Sequence, residues 1–508
     1  MGGSPSTASA PAEARELREQ EALASAALSL PLLRAVFSRS PDLAATLSLP
    51  PASFRSASPP DPPPHFHDLL ARLGPTIASL FFPRGGASKD AGAGDWVGFL
   101  RGFNSCCARA RASLPLALLL RVYAAACADA GAPCGVQFRP DEDGGGDGEG
   151  GKVVGELAPG EIAVLLSMCW VMAWSGLAPR ASGGEEGGKG EAVLLPDVSH
   201  LVLSALVSAG AVADDEGVWG WEVSGAGKGV SVQEFTSWVI STVPGLGNCL
   251  SRYVQDRFRL SEVDPTKESS VSTGNTTFDT SDAYLLTRGR AWSISLSVRN
   301  TLSEKFLPAS VIGMDTEDLL YSDNVDAGRK WGLGVLTEDG FENKDTFYGS
   351  SGFLCATYPI FRMLLPSGKE KNIMYCHLHT QLKTYEATPK PLGLAFGGSI
   401  GNERVFIDED FSKVTIRHHA VDKTYQHGSL IPNQGYLPVE ASILDFEVWG
   451  LGGQTTKRQQ DIFKKREDIF SGQRRKIDLA AFGNWEDSPE KMMMDMVSDP
   501  NKARREER

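Results

Sequence analysis

The chain has 508 residues, a hydrophobic fraction of 42% and a mean hydropathy of -0.17, the profile of a soluble globular protein with room for about two to four domains. A formal net charge of -13 and a pI near 5.2 disfavour nonspecific adhesion of the whole molecule to nucleic acid, although local basic patches remain free to bind. The eight cysteines are scattered without a CxxC pair, and residues 1–14 carry no basic residue, so a secreted disulfide scaffold is excluded in favour of reduced thiols in the cytosol or nucleus.

Residues 14–37 have helical apolar spacing at Leu17, Leu23, Leu28, Leu32 and Leu33, with a break or new start at Pro31. A proline-rich linker over 50–64 follows, then helical spacing over 66–82, 95–110 and 113–130. Residues 1–140 thus form a helical N-terminal region, and 141–160 an acidic, glycine-rich linker opening on DEDGGGDGEGGK. Residues 161–260 hold helices near 161–174, 197–212 and 231–241, interrupted by a second glycine-rich insertion at 182–190. Ile162–Ala178 is apolar, but prolines at 159 and 179 bracket it, which favours a buried core helix over a membrane span.

The helix, the loop, the short Gly229–Val232 strand and the QEFTSWVIST helix resemble an EF-hand pair. A calcium loop does not follow from the spacing. Started at Asp214, its ligand positions include Glu216, Val218 and Gly220; started at Asp141, its twelfth position is Lys152. A metal-free helical scaffold is the expectation, with no metal or cofactor. Residues 261–283, rich in Ser, Thr and Asp, read as the next linker.

From 284 to 453 the pattern is β-rich. In AWSISLSV, the residues Trp292, Ile294, Leu296 and Val298 alternate as on one strand face, and Trp331, Leu333 and Val335 repeat the pattern. Pro391–Gly453 supplies short apolar segments separated by Gly, Asn and Asp turns: a Phe-Gly-Gly turn, an Ile-Asp-Glu-Asp strand end, Thr-Tyr then Gly-Ser-Leu, and a closing Glu-Val-Trp-Gly-Leu strand. Residues 454–508 return to helical spacing.

The order of those parts resembles the second half of a TLDc domain. LLTRGRAWSIS at 285–295, the Leu319–Ser322 "LLYS" strand, and Phe347-Tyr348-Gly349 followed by Gly352-Phe353-Leu354 resemble its earlier elements. The GNERVFIDEDFSKVTIRHHAVDKTYQ run and the WEDSPEKMMMDM tail resemble plant members; the chain is also similar to oxidation-resistance and restriction-of-telomere-capping TLDc proteins. The implied fold class is α+β: a helical, degenerate EF-hand-like N-terminal region, an antiparallel β-sandwich TLDc domain over 284–453, and C-terminal helices. One departure is evident. After Ser322 the family's histidine-glycine turn, helix and strand are absent, the pattern of a splice variant or truncated gene. Such a loss would expose core, costing roughly 25 cal/mol per Å² no longer buried.

Candidate chemistry is sparse. Gly397-Gly398-Ser399-Ile400-Gly401 fits the G-x-S-x-G elbow, which needs a strand-turn-helix setting; here a second strand follows, so a hairpin explains the glycines. Cys376, His377 and His379 would need His418, His419 or His427 to converge on a metal; a solvated strand face explains them more simply. Cys355 and Cys376 are thiols open to peroxide only if exposed and acidic. Gly227-Lys228-Gly229 lacks the spacing of a phosphate loop. The chain is thus expected not to be an enzyme.

Binding features remain. Gly2 and Ser6 fit N-myristoylation on Gly2, a single chain that supports only reversible membrane contact. Lys464–Arg466 and Arg474–Lys476 form two basic clusters that read as a salt-bridged helix or a nuclear signal. Met492, Met493, Met494 and Met496 make a flexible apolar patch suited to docking or to packing back on the domain. Asp445, Glu447 and Trp449 share the strand face opposite Leu444, Phe446 and Val448, and form an interface candidate with Met492, Met493 and Met496. The resemblance implies a noncatalytic regulatory protein that binds the vacuolar-type proton ATPase (V-ATPase) and contributes to oxidative-stress resistance, in the cytoplasm or on the cytosolic face of endomembranes. The alternatives are a nuclear or nucleolar interaction protein using the basic tail, and a serine hydrolase or redox thiol enzyme.

Overall fold

The computed structural model of the protein describes residues 9–39, 42–49, 54–56, 62–81, 96–107, 113–140, 151–175, 193–214, 216–223, 227–262, 285–298, 309–318, 329–337, 339–350, 352–379, 390–432 and 434–451, with single positions 458, 462 and 465. Met1–Trp449 forms one compact unit and Gly450–Arg508 a second. The chain is α+β, helical in its N-terminal part and β-rich in its C-terminal part.

Helices α1 (Ser9–Ser25) and α2 (Leu30–Ser38) divide the stretch with a new start at Pro31, which stands in the first turn of α2, where its missing N–H costs nothing. Then follow α3 (Leu43–Leu47), β1 (Phe54–Ser56), α4 (His65–Phe81), α5 (Trp96–Cys107) and α6 (Ser113–Ala130). The second stretch runs β2 (Val136–Pro140), β3 (Gly151–Leu157), α7 (Pro159–Ser175), β4 (Val193–Leu195), α8 (Ser199–Ser208), β5 (Val230–Ser231), α9 (Val232–Thr242) and α10 (Cys249–Glu262). By length and composition α6 is apolar enough to cross a membrane; half of it is buried inside the unit, and it packs on α4. Helix α7 is shorter, with Ile162, Leu165, Leu166, Met168 and Cys169 buried.

The expected linker over 141–160 is corrected. Val153 and Val154 lie in β3, paired with Phe138 and Gln137 of β2, and α7 begins at Pro159. Two β-branched residues beside the glycine run are enough to seat a strand once a partner strand is present.

Helix α10 ties these stretches together. Leu250, Tyr253, Val254 and Phe258 recur at helical spacing and are buried. Phe258 stacks near Phe103 and Phe99 of α5, with ring centroids 6.0 and 6.3 Å apart. Arg257 donates to the carbonyls of Thr46 and Ser48 at 2.9 and 2.7 Å, placing a cation at the exposed carbonyl end of α3.

Residues 288–297 are not a strand. They form α11 (Arg288–Ser297), with Thr287 accepting from the Arg290 N–H at its start. Gly289, Ser293 and Ser297 recur every four residues on its buried side, with Ile294 and Leu296 beside them. The Ser293 and Ser297 hydroxyls donate back to the carbonyls four residues earlier, which a helix allows and a strand does not. A Cβ on Gly289 would sit 2.2 Å from the Asp197 carbonyl oxygen, so the small face is what admits this neighbour.

The β-rich part comprises β6 (Ala309–Asp318), β7 (Lys330–Thr337), β8 (Lys344–Tyr348), β9 (Phe353–Tyr358), β10 (Arg362–Leu364), β11 (Met374–His377), β12 (Gly393–Ser399), β13 (Asn402–Asp408), β14 (Lys413–Ile416) and β15 (Val439–Leu451). They hydrogen-bond in the order β10-β9-β7-β6-β15-β14-β13-β12-β11-β8, and the strand pairs with described register are antiparallel. Leu365 and Pro366, just after β10 at one end of that order, bond to Gln426 and Tyr425. Tyr425 packs against Gly397 of β12, near the other end, so the sheet folds over on itself. Trp331, Leu333 and Val335 of β7 share one buried core with Leu394, Phe396, Val405, Ile407, Val414 and Ile416. The LLYS segment and the residues after it lie outside the described ones; on either side of them β6 and β7 pair directly, Glu317 opposite Lys330.

Candidate partner-binding site

The candidate surface on β15 is only partly open. Leu444 and Val448 are 48% and 57% exposed, and Asp445 is exposed, whereas Phe446 packs on Phe411 with ring centroids 4.8 Å apart. Glu447 turns to the chain itself: its two carboxylate oxygens accept from the Leu285 and Leu286 N–H groups at 2.9 and 3.2 Å. That places Glu447 as the anchor of the segment leading into α11. Trp449 lies on the same strand. Gly2, Met492, Met493 and Met496 lie outside the described residues, as do both basic clusters apart from the helical position Lys465. The structure brings Asp445, Glu447 and Trp449 onto one strand; the other candidates are not among the described residues.

The EF-hand-like geometry is present with a different frame from the one counted on the sequence. Leu157 of β3 pairs with Val230 of β5, joining the two loops as a short antiparallel ladder. Four residues beyond each stands a glutamate, Glu161 and Glu234, where an EF-hand has its closing calcium ligand. Both are committed to backbone. Glu161 accepts from Gly135 and Ala158 N–H groups at 2.7 and 2.8 Å. Glu234 closes a capping box with Ser231, accepting from its N–H and hydroxyl while the Ser231 oxygen accepts from the Glu234 N–H. Counting back from these glutamates, positions 1, 3 and 5 are Gly150, Lys152 and Val154 in one loop and Val223, Gly225 and Gly227 in the other. No carboxylate stands there to hold calcium. Counting from Asp141 and Asp214 missed this because the frame is set by long-range strand pairing; an apolar residue followed at the fourth position by Glu was the available signal.

The alternative chemistries meet specific obstacles. Gly397–Gly401 is a hairpin joining antiparallel strands, with Ser399 opposite Asn402 and positive φ at Gly397, Gly398 and Gly401. Ser399 has no following helix to raise it above a parallel sheet. Burial pushes the Cys355 thiol up to about 12 and raises Cys376 as well, disfavouring thiolate at both. His377 is buried beside the Tyr375 hydroxyl at 3.3 Å, while His418 stacks on Tyr436. Among the described residues, no group of three or more His, Cys, Asp and Glu side chains is placed to hold a metal ion.

Inside the β-rich part lies a buried charged cluster that sequence reading did not single out. Arg404 donates to the Asp422 carboxylate and to the Gln426 and Gly428 carbonyls. Asp422 also accepts from the Thr424 N–H and hydroxyl at 2.7 and 2.5 Å. Burial acts to raise the Asp422 pKa, but bonds from His419, Thr424 and Arg404 outweigh it and hold the carboxyl well below its usual range. This pair fixes the loop after β14 onto β13.

A second unforeseen feature is the joint between the EF-hand-like helices and the turn after β9. The Phe361 N–H donates to the His200 carbonyl at 3.1 Å, and the Ser204 hydroxyl donates to the Phe361 carbonyl at 2.6 Å. Trp238 of α9 donates to Ser204 at 3.0 Å, and the His200 ring meets Ser293 of α11 at 2.6 Å. Arg362 adds an ion pair to Asp214 at 2.5 Å. Burial lowers the His200 pKa to about 4, with Asp197 opposing and Arg290 reinforcing.

Residues 324–452, a span that includes β7 through β15, match the family model for the TLDc domain. No curated protein matches the chain. Strands β7 to β15, the hairpin of glycines and the buried core they share fall within the matched span, which β6 precedes, and the β-rich part of the chain holds that TLDc domain.

Proposed function

We propose that the chain is a noncatalytic TLDc interaction protein that binds V-ATPase, acts on its assembly and contributes to resistance to oxidative stress. The observation that carries this reading is the TLDc match over residues 324–452. Two features of the site support it. Leu444 and Val448 project exposed from one face of β15, an apolar strip suited to docking, while the exposed Asp445 stands on the opposite face. The residues that would make a hydrolase or a thiol enzyme are occupied by a hairpin or raised by burial. A myristoyl chain on Gly2 would add reversible contact with the cytosolic face of an endomembrane, concentrating the protein near the pump.

The test is affinity purification of the tagged full chain from membrane extracts, with an intact TLDc protein as positive control. Recovery of pump subunits, reduced about tenfold or more by Leu444→Asp with Val448→Asp, is expected. Recovery by the control alone would count against the reading.

A further inference from the structure

Three loops of the TLDc domain leave the sheet at one end. Antiparallel pairing sets Met374, the first residue of β11, opposite Phe396 near the end of β12, and Ser399 opposite Asn402 at the β12–β13 hairpin. Val405 of β13 pairs with Ile416, the last residue of β14, which in turn pairs with Val439, the first of β15. The loops 365–373, 399–402 and 417–438 therefore emerge together. Contacts hold them side by side. The Ser367 N–H donates to the Thr424 carbonyl at 2.9 Å, the Gly398 N–H donates to the Thr424 hydroxyl oxygen at 3.0 Å, and the His418 ring stacks on Tyr436 with centroids 5.3 Å apart. Apolar side chains stand at the tips: Ile400 is 44% exposed, Val421 83%, Tyr436 79% and Leu437 80%, so the last three bury little against the core beneath.

The charge exposed around these tips is mostly of one sign. Lys369, Lys371 and Lys423 are exposed, whereas the acids of the same loops are engaged: Asp422 is buried against Arg404, and Glu370 accepts from the Lys371 and Asn372 N–H groups at 2.9 and 3.2 Å. Glu403, beside the hairpin, is buried and accepts from Arg417 at 3.2 Å. The exposed Glu440 stands within β15, opposite Thr415. The other end of β13 is acidic, with Asp408, Glu409 and Asp410 before Lys413. In a chain of net charge -13, this polarity turns the lysine end toward an anionic surface.

We infer that this end of the sheet docks on a bilayer that contains anionic phospholipid. This goes beyond the pump-binding reading and stands without it. Ile400, Val421 and Leu437 enter the boundary between headgroups and acyl chains, and Tyr436 keeps its ring there with its hydroxyl toward water. Lys369, Lys371 and Lys423 meet the headgroup charges around them. Apolar tips that project singly from separate turns suit a soft surface that each can enter, and burial of their area adds to the attraction of the cations.

The full chain, expressed where Gly2 receives no lipid, is mixed with vesicles of phosphatidylcholine and phosphatidylserine and sedimented. The expected result is cosedimentation at least about tenfold stronger than with phosphatidylcholine alone, falling as salt rises. Lys369→Gln with Lys371→Gln and Lys423→Gln should weaken it by about tenfold or more, and Val421→Ser with Leu437→Ser should do the same at constant charge. No binding to the anionic vesicles, equal binding to the neutral ones, or binding that either set of substitutions leaves unchanged overturns the inference. Loss of vesicle binding while pump subunits are still recovered overturns this inference alone and leaves the V-ATPase reading standing. If Val421→Ser with Leu437→Ser lowers Tm, the lysine variant and the salt series decide.

Discussion

Replacing Asp422 by Asn removes one charge from a pair that is almost wholly enclosed, with both side chains 1% exposed. Arg404 is left buried with a cation that no carboxylate balances, its remaining acceptors being the Gln426 and Gly428 carbonyls. Breaking a buried pair in this way costs about 3–5 kcal/mol. For the unit Met1–Trp449, at roughly 2.1 cal/mol/K of unfolding entropy per residue, that corresponds to a fall in Tm of about 3–5 °C. Thermal unfolding of the full chain followed by circular dichroism measures it. The double change Arg404→Met with Asp422→Leu removes both charges together and should recover most of the loss.

The pH dependence fixes the sign. The folded Asp422 carboxyl is held below its unfolded value, so its contribution is present above a pH of about 3.9 and is lost as pH falls through the lower folded value. The gap between wild type and Asp422→Asn should therefore be wide at neutral pH and close under acid. A Tm within about 2 °C of wild type at pH 7, or a gap that widens on acidification, would refute the reasoning.

Two further outcomes follow from the helical part. Millimolar calcium, against a chelator control, should leave Tm unchanged, whereas Ser231→Ala should cost about 1 kcal/mol through loss of the α9 cap; a calcium-dependent rise in Tm would contradict the ligand assignment. His200 is buried and its folded pKa lies near 4, below the unfolded value, so protonation favours unfolding: stability should fall by up to about 3 kcal/mol as pH drops from 6.5 to 4. His200→Gln should flatten that slope in urea titrations run across the same range.

Helices α4 to α9 were legible because their apolar residues recur at helical spacing within a single stretch, as at Phe66, Leu69, Leu70, Leu73 and Ile77. The hairpins of the TLDc region were legible for the same reason, their glycines and alternating apolar residues being local signals. Residues 288–297 misled because AWSISLSV alternates apolar residues with serine while also placing Gly289, Ser293 and Ser297 on one helical face. The deciding fact is the close approach of the Asp197 carbonyl to Gly289, a contact across the fold that no local period reports. Likewise Glu161 and Glu234 take their meaning from the Leu157–Val230 pairing, and Glu447 from two amide groups far away in sequence. Asp445 could be placed on β15 from alternation, but the exposure of Leu444 and Val448 and the withdrawal of Glu447 required the packed neighbours.

The most direct measurement mixes the purified full chain with purified V-ATPase and follows both by size-exclusion chromatography and by ATP hydrolysis. The TLDc docking surface predicts comigration with the pump and a change in its assembly or hydrolysis rate, both weakened by Leu444→Asp with Val448→Asp. Separate elution and an unchanged rate, in a preparation where an intact TLDc protein comigrates, would contradict it.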